Sequence, residues 1–531
     1  MRLSPLGHKQ ELLGMDMDKT LLKKLAAAVG SEYVITDDGE CAYFSQDVYS
    51  RAEYTSSAVL RPASTKELAA VVKLATQNGF AVFPRGGGLS YTGGYLPSTQ
   101  KSISIDTSRM SRVVEINTED MFVTVEAGCT WAALHKALQG TDLRTPFWGT
   151  LSGLYATVGG SVSQNSIFFG SGLYGISADS VTGLKVIAAN GDVVETGSGF
   201  FRHFGPDMTG LFTGDCGVLG IKAEITLRLI RTPKHKAHTS FSFESYADML
   251  PAMSEISRQG LASECFGFDP FLQAQRMKRE SLAKDVKALA GALKASGSVL
   301  GALKTGAKLA AAGRGFMDNV PYSVHITAEN HHASAAQADI ETIRAILTNA
   351  GGTEIENAIP TLVAANPFNP PNSMIGPSGE RWAPVHAVVP HSQAVSLMDA
   401  ITALFEEHKD LCAKYDIGTG YLLTSVGASA MVLEPVFFWP DALMDIHHRK
   451  VEAGHLRKLD GFSDNPDARA TVDGLRAKLK DLMAEHHAAH LQIGKTYTYQ
   501  QALNPASLAL LKVVKEQMDP KGLINPGALG L

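Results

Sequence analysis

The chain has 531 residues, 45% apolar and 19% charged, with a formal net charge of −5. That length calls for two or more domains around a large core, and the slightly acidic balance gives no electrostatic footprint for nucleic acid. Five scattered cysteines (41, 129, 216, 265 and 412) with no C-x-x-C pair exclude a zinc ribbon and a disulfide framework.

Met1 to Met17 lacks the apolar core of a signal peptide. No apolar run is long enough to span a bilayer, and the cysteine usage fits a reduced cytoplasmic setting. Arg61-Pro62-Ala63-Ser64 leads into a helix. Ser64 and Glu67 form its capping box, and Leu68, Val71, Val72 and Ala75 recur at helical spacing. Asn78-Gly79 ends it. An apolar strand, Phe80 to Phe83, then enters Pro84-Arg85-Gly86-Gly87-Gly88-Leu89-Ser90-Tyr91-Thr92-Gly93-Gly94. Glycine lets backbone N–H groups approach a ligand closely. Successive N–H groups in such a bend form a nest for an anion such as a diphosphate.

Three phosphate signatures fail against this stretch. The dinucleotide fingerprint needs a third glycine where Tyr91 stands. The ATP-type loop has its tail in Gly494-Lys495-Thr496, but Ala489 holds the first glycine position. The kinase loop has no accompanying catalytic-loop sequence.

Strands follow at Ile103–Ile105 and Val123–Val125, and Trp131 to Leu138 reads as a short helix closed by Gly140. A second Gly-rich group runs from Ala156 through Gly159-Gly160-Ser161 to Gln164-Asn165, with Tyr174-Gly175 and Asp179 beyond. Leu184–Ala188 and Val193–Thr196 flank the hairpin signal Asn190-Gly191. A third Gly-rich group, Gly214 to Ile221, opens a strand to Ile230. Three such bends between strands of one domain suit an extended ligand the size of a dinucleotide.

From residue 233 to about 480 the chain repeats strand then helix: 237–243 with 246–260, 322–328 with 333–350, 385–389 with 392–409, and a strand at 432–438. This predicts an antiparallel sheet with helices on one face. Between them, Arg276 to Arg314 is rich in Ala, Gly and Lys. It reads as a solvated helical lid, with an anionic membrane surface as the alternative.

These segments resemble the vanillyl-alcohol oxidase and p-cresol methylhydroxylase family of flavoproteins. The family pattern is P-x-G-G-G-x-S, then V-G-G leading to Y-G and an Asp, a D/N-G hairpin, and G-x-L-G-I before a strand. All occur in order between Pro84 and Ile230. Met518 to Gly527 matches the ending D-P-x-G-x-x-N-P-G. The resemblance covers residues 40–232 and 485–531, more weakly between.

The resemblance implies an α+β fold, with an FAD-binding domain over 1–232, a substrate cap over 233–484 and a C-terminal segment, 485–531, returning to the first domain. It implies that Pro84, Arg85, Gly86, Gly87, Gly88, Leu89, Ser90 and Thr92 wrap the FAD diphosphate. Gly159, Gly160, Ser161, Gln164 and Asn165 would line the path to the isoalloxazine ring, with Tyr174 and Gly175 beside it. Gly217 and Ile221 would touch the adenosine end or ribityl chain, and Asn525 would close over the cofactor. No histidine lies in the Gly loop or in Ala430 to Glu434, so dissociable FAD is expected.

The implied chemistry is hydride transfer from a small alcohol, aromatic or a 2-hydroxy acid, to flavin N5, with electrons passing to O₂ or a redox carrier. A homodimer is usual in the family. Catalytic candidates are Arg381 as a carboxylate clamp, His386 as base, and Lys495 and Tyr497. The related D-2-hydroxy-acid dehydrogenases carry G-E-H-G-I-G and a metal-binding His cluster; here Leu491 replaces their His. His486 and His490, four apart, have no third ligand nearby, so no metal is expected.

Overall fold

The computed structural model describes residues 17–279 and 320–531. The basic segment from 280 to 314, and Met1 to Asp16, lie outside the described residues.

The helix expected after Pro62 spans Thr65–Gln77. The Ser64 hydroxyl accepts from the Glu67 N–H, while the Glu67 carboxylate reaches back to the Ala63 N–H at 2.8 Å, one residue earlier than a standard capping box. Its buried stripe, Leu68, Val71, Val72 and Ala75, packs with helix Lys19–Val29 on a four-stranded sheet. That sheet orders Val34–Ile35, Ala58–Leu60, Ser102–Asp106 and Ala81–Arg85, the last three parallel. Its last strand delivers Arg85 to the Gly loop.

A second, antiparallel sheet joins Val113–Asn117, Phe122–Glu126, Ile221–Arg228, Val181–Ile187 and Val193–Gly197. Its core takes in Trp131 and Leu134 of helix Trp131–Leu138 and Val158 and Val162 of helix Val158–Gln164. The C-terminal segment returns here. The Val82 N–H donates to the Leu523 carbonyl at 2.7 Å, and the Asn525 amide donates to the Gly94 and Cys216 carbonyls at 2.7 and 2.6 Å.

The middle of the chain forms one eight-stranded sheet: Thr353–Ile355, His235–Phe243, Tyr322–Asn330, Glu264–Phe268, Gly418–Val426, Ala430–Trp439 and Arg381–Pro384. Ala387–Pro390 shares the last strand's edge of Ala430–Trp439. All pairings are antiparallel. Strand alternation then sorts the side chains. Met431, Leu433, Phe437 and Trp439 enter a core with helices Tyr246–Arg258, Ala333–Asn349, Ala394–Glu407 and Pro466–Glu485. Glu434, Val436 and Phe438 point to the other face, toward the Gly loop. Among the described residues no helix is long and apolar enough to cross a membrane.

Candidate active site

A cavity of about 1220 Å³ lies between the two N-terminal sheets and the open face of the eight-stranded sheet. Pro84, Arg85, Gly86, Gly87, Gly88, Leu89 and Ser90 form one wall, and Gly159, Gly160, Ser161, Gln164, Gly217 and Ile221 another. Phe266, Phe268, Leu422, Thr424, Glu434 and Trp382 come from the eight-stranded sheet.

The Gly loop is held open for a ligand. Gly86 abuts the Thr157 side chain and Gly87 the Tyr155 carbonyl, so neither has room for a Cβ. Yet the N–H groups of Gly87, Gly88, Leu89 and Ser90 donate to no acceptor among the described residues. The Arg85 guanidinium, 2% exposed, donates Nη1 to the Tyr43 carbonyl at 3.0 Å and lies 4.6 and 4.5 Å from the Tyr43 and Phe44 ring centroids. Its Nη2 has no partner among the described residues. Unsatisfied donors with this burial are costly unless a ligand accepts from them.

The other two Gly-rich groups differ. The Val158 and Gly159 N–H groups donate to the Cys129 and Ala127 carbonyls, and Gly160 donates to the Thr157 hydroxyl. Gly217 donates to the Asp215 carboxylate at 2.9 Å. These bends are small so that backbones can pack closely, and their amides are already used.

Some expected cofactor residues stand behind the cavity wall. Thr92 bonds Ser90 through its hydroxyl, and its carbonyl accepts from the Lys495 N–H. Asn165 ends a helix at φ 53° against Gly214. Tyr174 lies 5.7 Å from the Arg144 guanidinium, and Gly175 abuts the Asp179 carboxylate. Fully buried Asn525 ties the backbones of the first and third Gly-rich groups, at Gly94 and Cys216.

The four catalytic candidates also lie outside the lining. Trp382 faces the cavity, so its neighbour Arg381 faces the helical core. There Arg381 pairs with Asp441 at 3.7 Å and donates to the Tyr49 and Ala442 carbonyls. Burial lowers it to about 10. His386 sits 2.7 Å from the Leu491 carbonyl, its Nδ1 is 3.2 Å from the Tyr497 hydroxyl, and burial lowers it to about 3. Tyr497 also accepts from the His386 N–H and stacks on His490 at 3.9 Å. Lys495 donates to the Leu96 carbonyl beside the Phe83 ring, and burial lowers it to about 7. His490 Nδ1 donates to the His386 carbonyl. Among the described residues no group of three His, Cys, Asp or Glu could hold a metal.

Three polar groups that reach the cavity, Tyr91, Gln492 and Glu434, were not singled out as site residues from the sequence. Gln492 donates its side-chain amide to the Tyr91 hydroxyl at 3.1 Å, and Tyr91 lies 3.4 Å from the Glu434 carboxylate. Burial, helped by the Glu434 charge, pushes the Tyr91 phenol well above its ordinary range. Gln492 adopts φ 46°, a conformation unusual outside glycine. Such strain clusters at functional sites. Only strand register could have placed Glu434 here.

Residues 56–197 match the FAD binding domain, and residues 484–529 match the C-terminal domain of FAD linked oxidases. The chain is 27% identical over 239 residues to glycolate oxidase subunit GlcD of Bacillus subtilis, covering 45% of this chain and 50% of that one. It is 33% identical over 218 residues to the mitochondrial D-lactate dehydrogenase [cytochrome] of Arabidopsis thaliana, covering 40% and 38%. With D-lactate dehydrogenase of Anaerostipes hadrus it shares 25% identity over 88% of both chains. The chain thus spans half or less of the first two relatives. Solved structures of p-cresol methylhydroxylase (TM-score 0.70, 15% identity, 96% of both chains) and alkyldihydroxyacetonephosphate synthase (0.71, 16%, 96% of this chain and 86% of that one) share its fold.

The free amides, the unpartnered Arg85 donor and the two matched regions define a flavoprotein whose cofactor is FAD. Over residues 56–197 and 484–529 the chain is similar to FAD-linked oxidases, and its fold is that of the p-cresol methylhydroxylase-type FAD-binding proteins.

Proposed function

We propose that this chain oxidises a small alcohol, holding dissociable FAD in the cavity and passing its electrons to O₂ or a redox carrier. The Gly87–Ser90 amides and Arg85 hold the diphosphate. Bound FAD supplies the hydride acceptor. Tyr91, Gln492 and Glu434 form the hydrogen-bonding group that orients the donor hydroxyl. Phe266, Phe268, Leu422 and Trp382 exclude water around it.

The observation carrying this reading is that one continuous cavity joins the free amides of residues 87–90 to the Tyr91–Gln492–Glu434 cluster. An anion grip at one end and a polar cluster in an apolar chamber at the other are the parts a flavin oxidation requires.

A second reading, a D-2-hydroxy-acid dehydrogenase at the membrane surface, is favoured by the names of the relatives. It lacks the Arg381 clamp, whose guanidinium is committed to Asp441. Anaerobic mixing of the holoprotein with a panel of alcohols and 2-hydroxy acids tests both. Bleaching near 450 nm by neutral alcohols supports the first reading, and bleaching by D-lactate or glycolate alone supports the second. A flavin that no donor reduces would indicate a non-catalytic flavin-binding protein.

A further inference from the structure

Strands Thr353–Ile355 and Arg381–Pro384 form opposite edges of the eight-stranded sheet. The chain between them must cross the whole sheet, and it does so on the cavity side. Ile359, Leu362, Val363, Pro367, Pro370 and Met374 of this crossing line the cavity. Across from them stand Phe168, Phe266, Phe268 and Leu422.

From Asn366 to Met374 the backbone hydrogen bonds of this strap are local: Asn366 to Leu362, Asn372 to Pro370, Met374 to Pro371. Its ends are anchored by Asn357, which donates to the His238 carbonyl, and by Met374, buried beside Tyr43 and Phe44; between them two side chains tie it down. Asn372 exchanges hydrogen bonds with Glu452 at 2.8 and 3.1 Å, in an exposed setting. Phe368 inserts into a socket in the FAD-binding region, 5.7, 6.0 and 5.9 Å from the ring centroids of His135, Trp148 and Phe169. The socket depends on two glycines. A Cβ at Gly149 or Gly153 would lie 2.8 or 2.5 Å from the Phe368 ring.

We propose that residues 357–374 are a movable roof over the donor chamber, latched by Phe368. The donor it admits carries its alcohol on an apolar frame, aromatic or hydrocarbon. The donor rests on the oxidoreductase reading above; the latch does not. An aromatic ring leaving one socket is a discrete event, as a gate requires, and lid opening commonly sets ligand exchange rates. The prolines flanking Phe368 stiffen the strap, so release at one point moves the whole roof.

Stopped-flow measurement of flavin absorbance in the holoprotein tests this, with 2-naphthalenemethanol as the apolar probe and glycolate and ethylene glycol as bare ones. Phe368→Ala should raise association and dissociation rates together by about tenfold, with Kd changed less than about threefold. Gly153→Ala, whose Cβ would meet the Phe368 ring at 2.5 Å and the Thr150 carbonyl at 2.9 Å, should evict the ring without removing it and raise the rates likewise. The apolar probe should bind at least about tenfold tighter than either bare one, as burial of its rings requires. Unchanged rates in both single variants, or tighter binding of glycolate, would overturn the proposal. So would loss of FAD from both variants, since a latch at the mouth does not hold the cofactor. Latch-dependent rates in a protein whose flavin no donor bleaches would retain the roof and remove the oxidoreductase reading. Bleaching by donors with rates indifferent to Phe368 and Gly153 would do the reverse.

Discussion

Gly87 runs so close to Tyr155 that a Cβ on Gly87 would overlap the Tyr155 carbonyl oxygen and come within 2.7 Å of its carbon. The first two Gly-rich groups, separated by some seventy residues of sequence, are therefore packed backbone to backbone. That contact aims the Gly87–Ser90 amides into the cavity.

Gly87→Ala should accordingly lose FAD or fold poorly, because the obstacle is backbone and cannot step aside. Gly474, inside helix Pro466–Glu485 with open space around it, is the opposite case. Gly474→Ala should stabilise by about 1 kcal/mol, the helix-propensity difference. Flavin content and thermal melts of the two variants check the pair; equal behaviour would contradict the packing argument.

Arg85 is expected to act on the cofactor more than on the fold. Arg85→Met keeps the apolar bulk against Tyr43 and Phe44 but removes the unpartnered donor. FAD affinity should fall by about 10- to 100-fold, the worth of a charge-assisted hydrogen bond. Fluorescence titration of the apoprotein with FAD measures it. An unchanged Kd would show that Nη2 does not face the phosphates.

Arg381 should prove structural. Its pair with Asp441 is fully buried, and Asp441 also takes Arg469 and the Trp439 N–H. Arg381→Met should destabilise by about 1–3 kcal/mol, because the hydrogen bonds to the buried Tyr49 and Ala442 carbonyls are lost while Asp441 keeps Arg469. Selectivity between neutral alcohols and hydroxy acids should not move. A selective loss for acids would restore the clamp and contradict the strand parity.

The first Gly loop, the hairpin and the strand–helix repeats were legible because they are local. The Pro84–Gly94 composition and the Asn190-Gly191 turn carry their own geometry, and helix Thr65–Gln77 begins at the residue its cap predicts. The polar end of the cavity was not. Arg381 and Trp382 are adjacent in sequence yet serve opposite faces, and only pairing with Trp439 and Phe438 decides which. Glu434 reaches the cavity for the same reason, opposite Leu422. Nor could sequence distinguish bends with free amides from those with satisfied ones. Gly159 and Gly217 look like Gly87 in composition, but a distant carbonyl, Ala127, and a carboxylate two residues back, Asp215, have already used the amides at those bends.

Acid should destabilise the fold through its imidazoles. Burial lowers His325, His386 and His447 to about 3 and His238 to about 4, from 6.5. Below pH 6.5 the unfolded chain binds protons there that the folded chain refuses, so stability is full above that pH and falls toward pH 3–4. Asp269, raised by burial to about 6, opposes this below pH 6, and so do Asp47, Asp215 and Glu264, whose carboxyls burial also raises. NMR of the histidine rings should find His325, His386 and His447 still neutral at pH 5.0, where free imidazoles are protonated, and protonated rings at that pH would refute buried neutral imidazoles.

The Gly87–Ser90 amides and Arg85 should grip the FAD diphosphate. Riboflavin has the same ring and no phosphate. Titration of the apoprotein with each should give FAD a Kd at least about a thousandfold lower, from several charge-assisted hydrogen bonds acting together. Comparable affinities for FAD and riboflavin would contradict the claim outright.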